Sequence, residues 1–217
     1  MKKIMFSDKF GLTEAVLSGR KTQTRRIITC PKEFKGEWVA GFYVYKRQSD
    51  NAIIQWPCMY DADECTFNGG EILPKYKVGE IVAVAQSYKD MKYSPAALDR
   101  NPKDYTNIRG TLGDSKGWCN KMFVRTAACK HHIRITNVRV ERLQDISDEE
   151  CIKEGVIESV VMGTNGSLSE YFVEGPKHIC YGKTPREAYA VLIDLISGKG
   201  TWSSNPYVFV YDFELVD

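Results

Sequence analysis

"GRKTQTRR", residues 19–26, places four cationic residues and two threonines in eight positions. It follows "LTEAVLS" (12–18), where Leu12, Ala15 and Val16 share one helical face and Gly19 suits the position just past a helix C-terminus. Lys21 and Thr24 are three apart, so in a helical or tight-turn conformation both point to one side, close enough for an amine–hydroxyl hydrogen bond. A threonine hydroxyl becomes a useful nucleophile only when an adjacent base takes its proton. A lysine is such a base only when burial or neighbouring cations lower its pKa from about 10.4. Arg25 and Arg26 are such neighbours in sequence, and Arg26 also has the planar fork that grips phosphate or carboxylate. Three readings stand on spacing alone: a solvated basic turn complementing the negative end of the helix dipole, an anion clamp, or a reactive centre.

A second irregularity lies far along the chain. "SDEE" (147–150) is a capping box, with Ser147 as N-cap and Glu150 three residues on, and Gly155 can end the helix it opens. Glu154 then sits in the last turn, where the dipole disfavours a carboxylate. Cys151 and Ile152 form the apolar side of this helix, which puts Glu154 near the core edge. A misplaced acid is either an exposed glutamate paired with a nearby lysine or a functional group.

Outward from these two stretches, "EWVAGFYVYKR" and "NAIIQWP" read as two strands around the turn "QSDN", with Pro57 ending the second. Gly79 marks a turn into a buried strand, Ile81–Ala85. In "HHIRITNVRVERL" Ile133 and Ile135 alternate, then Val138 and Val140 continue on the opposite parity, which predicts a bulge near Thr136–Asn137. "TPRE" (184–187) opens a helix with Pro185 at its first position, Ala188, Val191, Leu192, Leu195 and Ile196 at core spacing, and Gly198 closing it. The final strand sets Tyr207, Phe209, Tyr211, Phe213 and Leu215 on one face. Residues 88–128 and 158–184 are loop-rich and read as insertions into a single α+β domain spanning 1–217.

The net charge of +2 conceals an asymmetry: residues 1–35 carry nine Lys/Arg against three Asp/Glu, a net +6, and the remainder sums to −4. Such a field favours anionic partners. The seven cysteines form no C-x-x-C pair, and Cys119, Cys129, His131 and His132 match no zinc spacing, so reduced thiols, no metal and no cofactor are expected. No run approaches the roughly 18 apolar residues of a membrane span, and no apolar core follows the basic start, so a cytoplasmic protein without membrane partners is expected.

Taken together, these residues resemble the ASCH family, a PUA-like group of small β-barrels with flanking short helices. Its G-x-K-x-x-[acid or hydroxyl]-x-R fingerprint is matched by Gly19, Lys21, Thr24 and Arg26. "VGE" (78–80), "RVERLQDISDEECIKEGV" (139–156) and "NPYVFVYDFELV" (205–216) fit the same pattern, and the layout is similar to phage and prophage ASCH-like proteins. The resemblance implies a catalytic set of Lys21, Thr24 and Glu154, as in small amidohydrolases that deacetylate N4-acetylcytidine, with Arg26 anchoring a polar or anionic part of the substrate. It equally implies an alternative: an RNA- or DNA-binding PUA-like domain, nuclease members included, without amide chemistry. The expected partner is thus a modified nucleoside or single-stranded nucleic acid. In the second case the aromatic residues Trp38, Phe42, Tyr43, Tyr45 and Trp56 are candidates for base stacking.

Overall fold

The computed structural model of the protein describes residues 1–50, 52–92, 117–163, 166–175 and 179–216. Its centre is the pair of long strands that the alternating runs predict, β9 (His132–Arg142) and β13 (Tyr207–Leu215), joined antiparallel. β2 (Gln23–Ile27) flanks β13, and β8 (Ile81–Val84) flanks β9, both antiparallel. β1 (Lys3–Ile4) adds to β8 in parallel, giving the order β1-β8-β9-β13-β2. Among the described residues this ladder is open, with β1 and β2 as its edges.

The phase change in β9 is a bulge at Thr136. Asp212 faces Asn137 while the next residue, Phe213, faces Ile135, so Thr136 has no opposite number. The extra residue lets Ile133, Ile135 and Val140 all reach the same buried layer. In β13 Tyr207, Phe209, Tyr211, Phe213 and Leu215 share one face as expected, and the opposite face is buried as well. Val208 and Val210 are completely buried and Phe209 and Tyr211 nearly so, because layers cover both sides of this central strand.

Helices enter where their caps predict. α1 (Leu12–Leu17) buries Leu12, Ala15 and Val16, and Gly19 takes the left-handed backbone (φ +74°) that turns the chain. α2 (Asp148–Lys153) starts on the Ser147–Glu150 capping box, both halves of which are formed. α3 (Pro185–Ser197) starts on Thr184, whose hydroxyl accepts from the Glu187 N–H, and ends before Gly198; a short α4 (Thr201–Ser204) follows. α3 packs on α2, and buries Ala188, Tyr189 and Leu192.

Two expectations are corrected. The 158–184 stretch is not loop-rich: β10 (Ile157–Gly163), β11 (Gly166–Glu174) and β12 (Ile179–Gly182) form a three-stranded antiparallel sheet. Polar residues on both faces of these strands weaken the period-2 signal that marks a half-buried strand. The hairpin around "QSDN" narrows to one bridge, Lys46 to Ile53. Here β3 (Glu33–Phe34) pairs with β4 (Glu37–Trp38), while β5 (Gly41–Tyr43) pairs with β6 (Cys58–Tyr60), just after Pro57, and β6 with β7 (Thr66–Glu71). Of the 88–128 excursion, residues 93–116 lie outside the described residues.

No helix among the described residues is long and apolar enough to cross a membrane. The cysteines are free thiols, with Cys129, Cys151 and Cys180 buried and Cys65 and Cys119 exposed. Burial pushes the Cys151 thiol up to about 12 from an ordinary 9.0. A group whose folded pKa is raised stabilises the fold below its unfolded pKa and loses that contribution as pH rises toward the folded value. Stability should therefore fall by about 1 kcal/mol between about pH 9 and pH 10 from this thiol. Urea unfolding at the two pH values should show a shallower loss for Cys151→Ala than for the wild type.

Candidate active site

The basic motif is not helical, and its middle is not solvated: Lys21, Gln23, Thr24 and Arg25 are buried, while Arg20 and Arg26 are exposed. After α1 the chain doubles back, the Lys21 N–H donating to the Ala15 carbonyl at 2.8 Å, and from Gln23 onward it is strand. Along β2 the side chains alternate, so Gln23 and Arg25 share one face and Thr24 and Arg26 the other. The expected helical or tight-turn pairing of Lys21 with Thr24 is thereby corrected. The bend at 21–22, not a helical repeat, brings both residues to the wall of one cavity.

The motif is stitched to the C-terminus of α2. Arg20 Nη1 donates to the Gly155 carbonyl at 2.9 Å, and the Thr22 N–H donates to the Lys153 carbonyl at 2.9 Å. Lys21 Nζ donates to the Glu154 carbonyl at 2.8 Å, to Glu154 Oε2 at 2.5 Å and to the Gln23 carbonyl at 2.7 Å. These cations satisfy carbonyls that the end of a helix leaves without partners. Gly155 adopts φ +109°, and a Cβ there would press on Leu12 at 3.3 Å, so the turn accepts only glycine comfortably.

Glu154 explains its own misplacement. It is 4% exposed, and its two oxygens are divided between Lys21 and Arg25, the latter at 3.2 Å from Oε1. Arg25, the residue sequence reasoning left without a role, is the hub. Its Nε and Nη2 reach Glu141 at 2.9 and 2.6 Å, Nη2 reaches Glu150 at 2.8 Å, and Nη1 reaches Gln23 Oε1 at 2.5 Å. All the N–H donors of the guanidinium are thus used. Arg139 extends the cluster, bonding Glu141 at 3.1 Å, Asp212 at 2.8 Å and Glu150. Three cations face four carboxylates across β2, β9, β13 and α2. The alternation of "RVER" along β9, which puts Arg139 and Glu141 on one face, was the sequence signal for part of it.

Burial lowers the pKa of Lys21; the adjacent Glu154 opposes this, and Arg26 and Arg25 add to the lowering. Burial also pulls on Arg25, but Glu154 and Glu141 outweigh it and hold the guanidinium charged. As an ammonium Lys21 has three donors and spends all three on the acceptors above.

The cavity beside this pair has a volume of about 370 Å³ and is walled by Phe6, Lys21, Thr24, Glu154 and Tyr189 among others. Thr24 is 4% exposed. Phe6 lies 5.9 Å from both Lys21 Nζ and Arg26 Cζ, so its ring spaces the two cations. Arg26 is exposed at the cavity rim and donates to the Met5 carbonyl at 2.7 Å. All four predicted site residues therefore line one cavity. Among the described residues no group of three or more His, Cys, Asp or Glu is placed to hold a metal ion. Comparison of the chain with family models, curated proteins and solved structures finds no match.

Removing one member of a buried ionic cluster leaves its partners uncompensated, which costs about 3–5 kcal/mol. Arg25→Met should therefore unfold at markedly lower urea concentration than the wild type. Arg26→Ala, at an exposed position, should stay within about 0.5 kcal/mol. Equal midpoints for the two variants would contradict the assignment of Arg25 as hub.

Proposed function

We propose that the protein is an amidohydrolase acting on an acylated nucleoside or base of the N4-acetylcytidine type. The carrying observation is the buried Lys21–Glu154 contact of 2.5 Å on the wall of a cavity that also contains Thr24. In this reading the neutral Lys21 amine takes the Thr24 proton as Thr24 Oγ1 attacks the acyl carbon. The C–N bond then breaks, and the leaving amine receives that proton from the Lys21 ammonium. Water, deprotonated through the same lysine, attacks the acyl-threonine ester and releases the carboxylic acid and the free Thr24 hydroxyl. Glu154 orients Lys21 throughout, and Arg26 anchors a polar or anionic part of the substrate from the rim.

Two features support this assignment of roles. Burial already pushes Lys21 toward its neutral form. Loss of one of the three protons that it donates then leaves a lone pair to take the Thr24 proton. The reading carries with it the proposal that the five-stranded sheet is the core of a PUA-like, ASCH-type barrel fold.

Incubation with N4-acetylcytidine should release cytidine and acetate, with Thr24→Ala and Lys21→Ala lowering the rate by about 100-fold or more. The wild-type kcat/KM should rise with pH through the lowered pKa of Lys21, because the base form is the active one. Equal rates for wild type and both variants would dismiss the reading.

A second reading, a domain that binds single-stranded nucleic acid without amide chemistry, draws on a neighbouring cavity. It has a volume of about 360 Å³, shares Met5, Arg26 and Ile27 with the first, and adds Lys3, Lys75 and Tyr76. The aromatic residues support it less evenly. Trp38 is 62% exposed, and Tyr43 stacks on Tyr60 at 4.3 Å, but Phe42 and Trp56 pack against the core. Under this reading affinity for single-stranded RNA should fall steeply as salt rises from about 50 to 200 mM. An unchanged affinity would remove it.

A further inference from the structure

The two cavities that meet at Arg26 lie against one face of the sheet. Thr24, in the wall of the first, stands opposite Tyr211 of β13, and Arg26 stands opposite Phe209. Side chains directly opposite one another on paired strands leave the sheet on the same side, with Cβ atoms about 4.5–5.5 Å apart. Tyr211 and Phe209 line the second cavity, so one cross-strand step separates Thr24 from it. Met5, Arg26 and Ile27 border both cavities.

The second cavity is cationic. Lys3, Arg26 and Lys75 line it, and none of its lining residues is acidic. Lys3 spends its three donors on the carbonyls of Lys121, Met122 and Val124, so it adds charge to the cavity but no free donor. Arg26 differs from the fully engaged Arg25. Among the described residues its guanidinium makes one hydrogen bond, from Nη2 to the Met5 carbonyl at 2.7 Å, which leaves Nε and Nη1 unused. Lys75 is exposed, with its Nζ 5.4 Å from the ring centre of Tyr76. That ring is fixed in place: the Tyr76 hydroxyl donates to the Lys3 carbonyl at 3.0 Å, and the ring stands edge-on to Tyr211 at 5.4 Å. A planar fork with donors to spare, beside an ammonium and with no carboxylate in the wall, is complementary to a phosphate group.

We propose that Arg26 and Lys75 form a phosphate subsite, and that the substrate is an acylated nucleotide whose phosphate lies in this cleft while its base reaches Thr24. This rests on the amide-hydrolysis reading and narrows its substrate class from nucleoside to nucleotide. Thr24 and Arg26 are two residues apart on one face of β2, about 6.5 Å of strand rise, and the Arg26 side chain extends that separation toward the second cavity. One nucleotide can therefore place its exocyclic acyl group at Thr24 and its phosphate at Arg26. A free nucleotide and a residue within a single strand present the same group to this cleft.

The test separates binding from turnover. Binding is measured in Thr24→Ala, which removes the nucleophile, for N4-acetylcytidine, its 5′- and 3′-monophosphates, and a single-stranded RNA trinucleotide with N4-acetylcytidine at its centre. At least one monophosphate should bind about tenfold more tightly than the nucleoside, as hydrogen bonds to a charged group provide. Adding Arg26→Ala or Lys75→Ala should lower that ratio by about threefold or more, and adding both should abolish it. Equal affinity for the nucleoside and both monophosphates, a ratio that neither substitution alters, or no binding of any ligand would overturn the proposal. Tighter binding of the trinucleotide than of either monophosphate would assign the phosphate to a strand, and otherwise to a free nucleotide; the subsite stands in both cases. Deacetylation of nucleoside and monophosphates by the otherwise wild-type protein is followed alongside. A phosphate preference in binding without deacetylation would overturn the hydrolase reading alone, and deacetylation with equal affinities would overturn this inference alone.

Discussion

The buried contact between Lys21 and Glu154, with Arg25 closing the other side of the same carboxylate, is the constraint on which the rest of the structure depends. Taking a carboxylate and two cations out of water costs several kcal/mol for each ion unless every donor and acceptor is matched. The matching here is complete for both cations. Lys21 has three acceptors, and Arg25 distributes its donors over Gln23, Glu141, Glu150 and Glu154. These partners come from β2, β9 and α2, so the cluster forms only when the edge of the sheet and the helix are already in place. Electrostatics and topology specify one another at this point.

The same arrangement resolves a conflict between local and global preferences. A glutamate at a helix C-terminus opposes the dipole. In α2 the penalty is offset because Lys21 meets both the Glu154 side chain and the Glu154 carbonyl, while Arg20 takes the next carbonyl along. A basic turn and an acidic helix end that look unfavourable apart become complementary together. Their junction leaves a small cavity whose wall includes Lys21, Thr24 and Tyr189.

Much of the framework was legible from the chain because its signals are short-ranged. The Ser147 and Thr184 caps, the glycine turn at Gly19 and the Thr136 bulge depend on a few neighbouring residues and the periodicity of one strand. Lys21, Thr24 and Arg26 were legible through motif spacing and Glu154 as an out-of-place acid, the family resemblance alone joining them into a set, and all four line one cavity. The sheet of β10, β11 and β12 was not legible, since strands with polar residues on both faces lack an amphipathic signature. Nor were Arg25 and Tyr189. A central arginine looks like any other in a basic run, and a tyrosine in a helix face looks like ordinary core.

By itself the sequence determined where helices begin and end, where the longest strands run and where the basic motif and the out-of-place acid lie. These are matters of turn geometry, alternation and side-chain type. Only the tertiary structure decided which cation meets which carboxylate, that Thr24 and Arg25 face opposite sides of β2, and that the Tyr189 hydroxyl finds no partner among the described residues. Those outcomes turn on contacts between residues more than 100 positions apart, such as Arg25 with Glu141 and Lys21 with Glu154. No local periodicity encodes such distances, because the pairing is selected by the joint desolvation of all the charges at once.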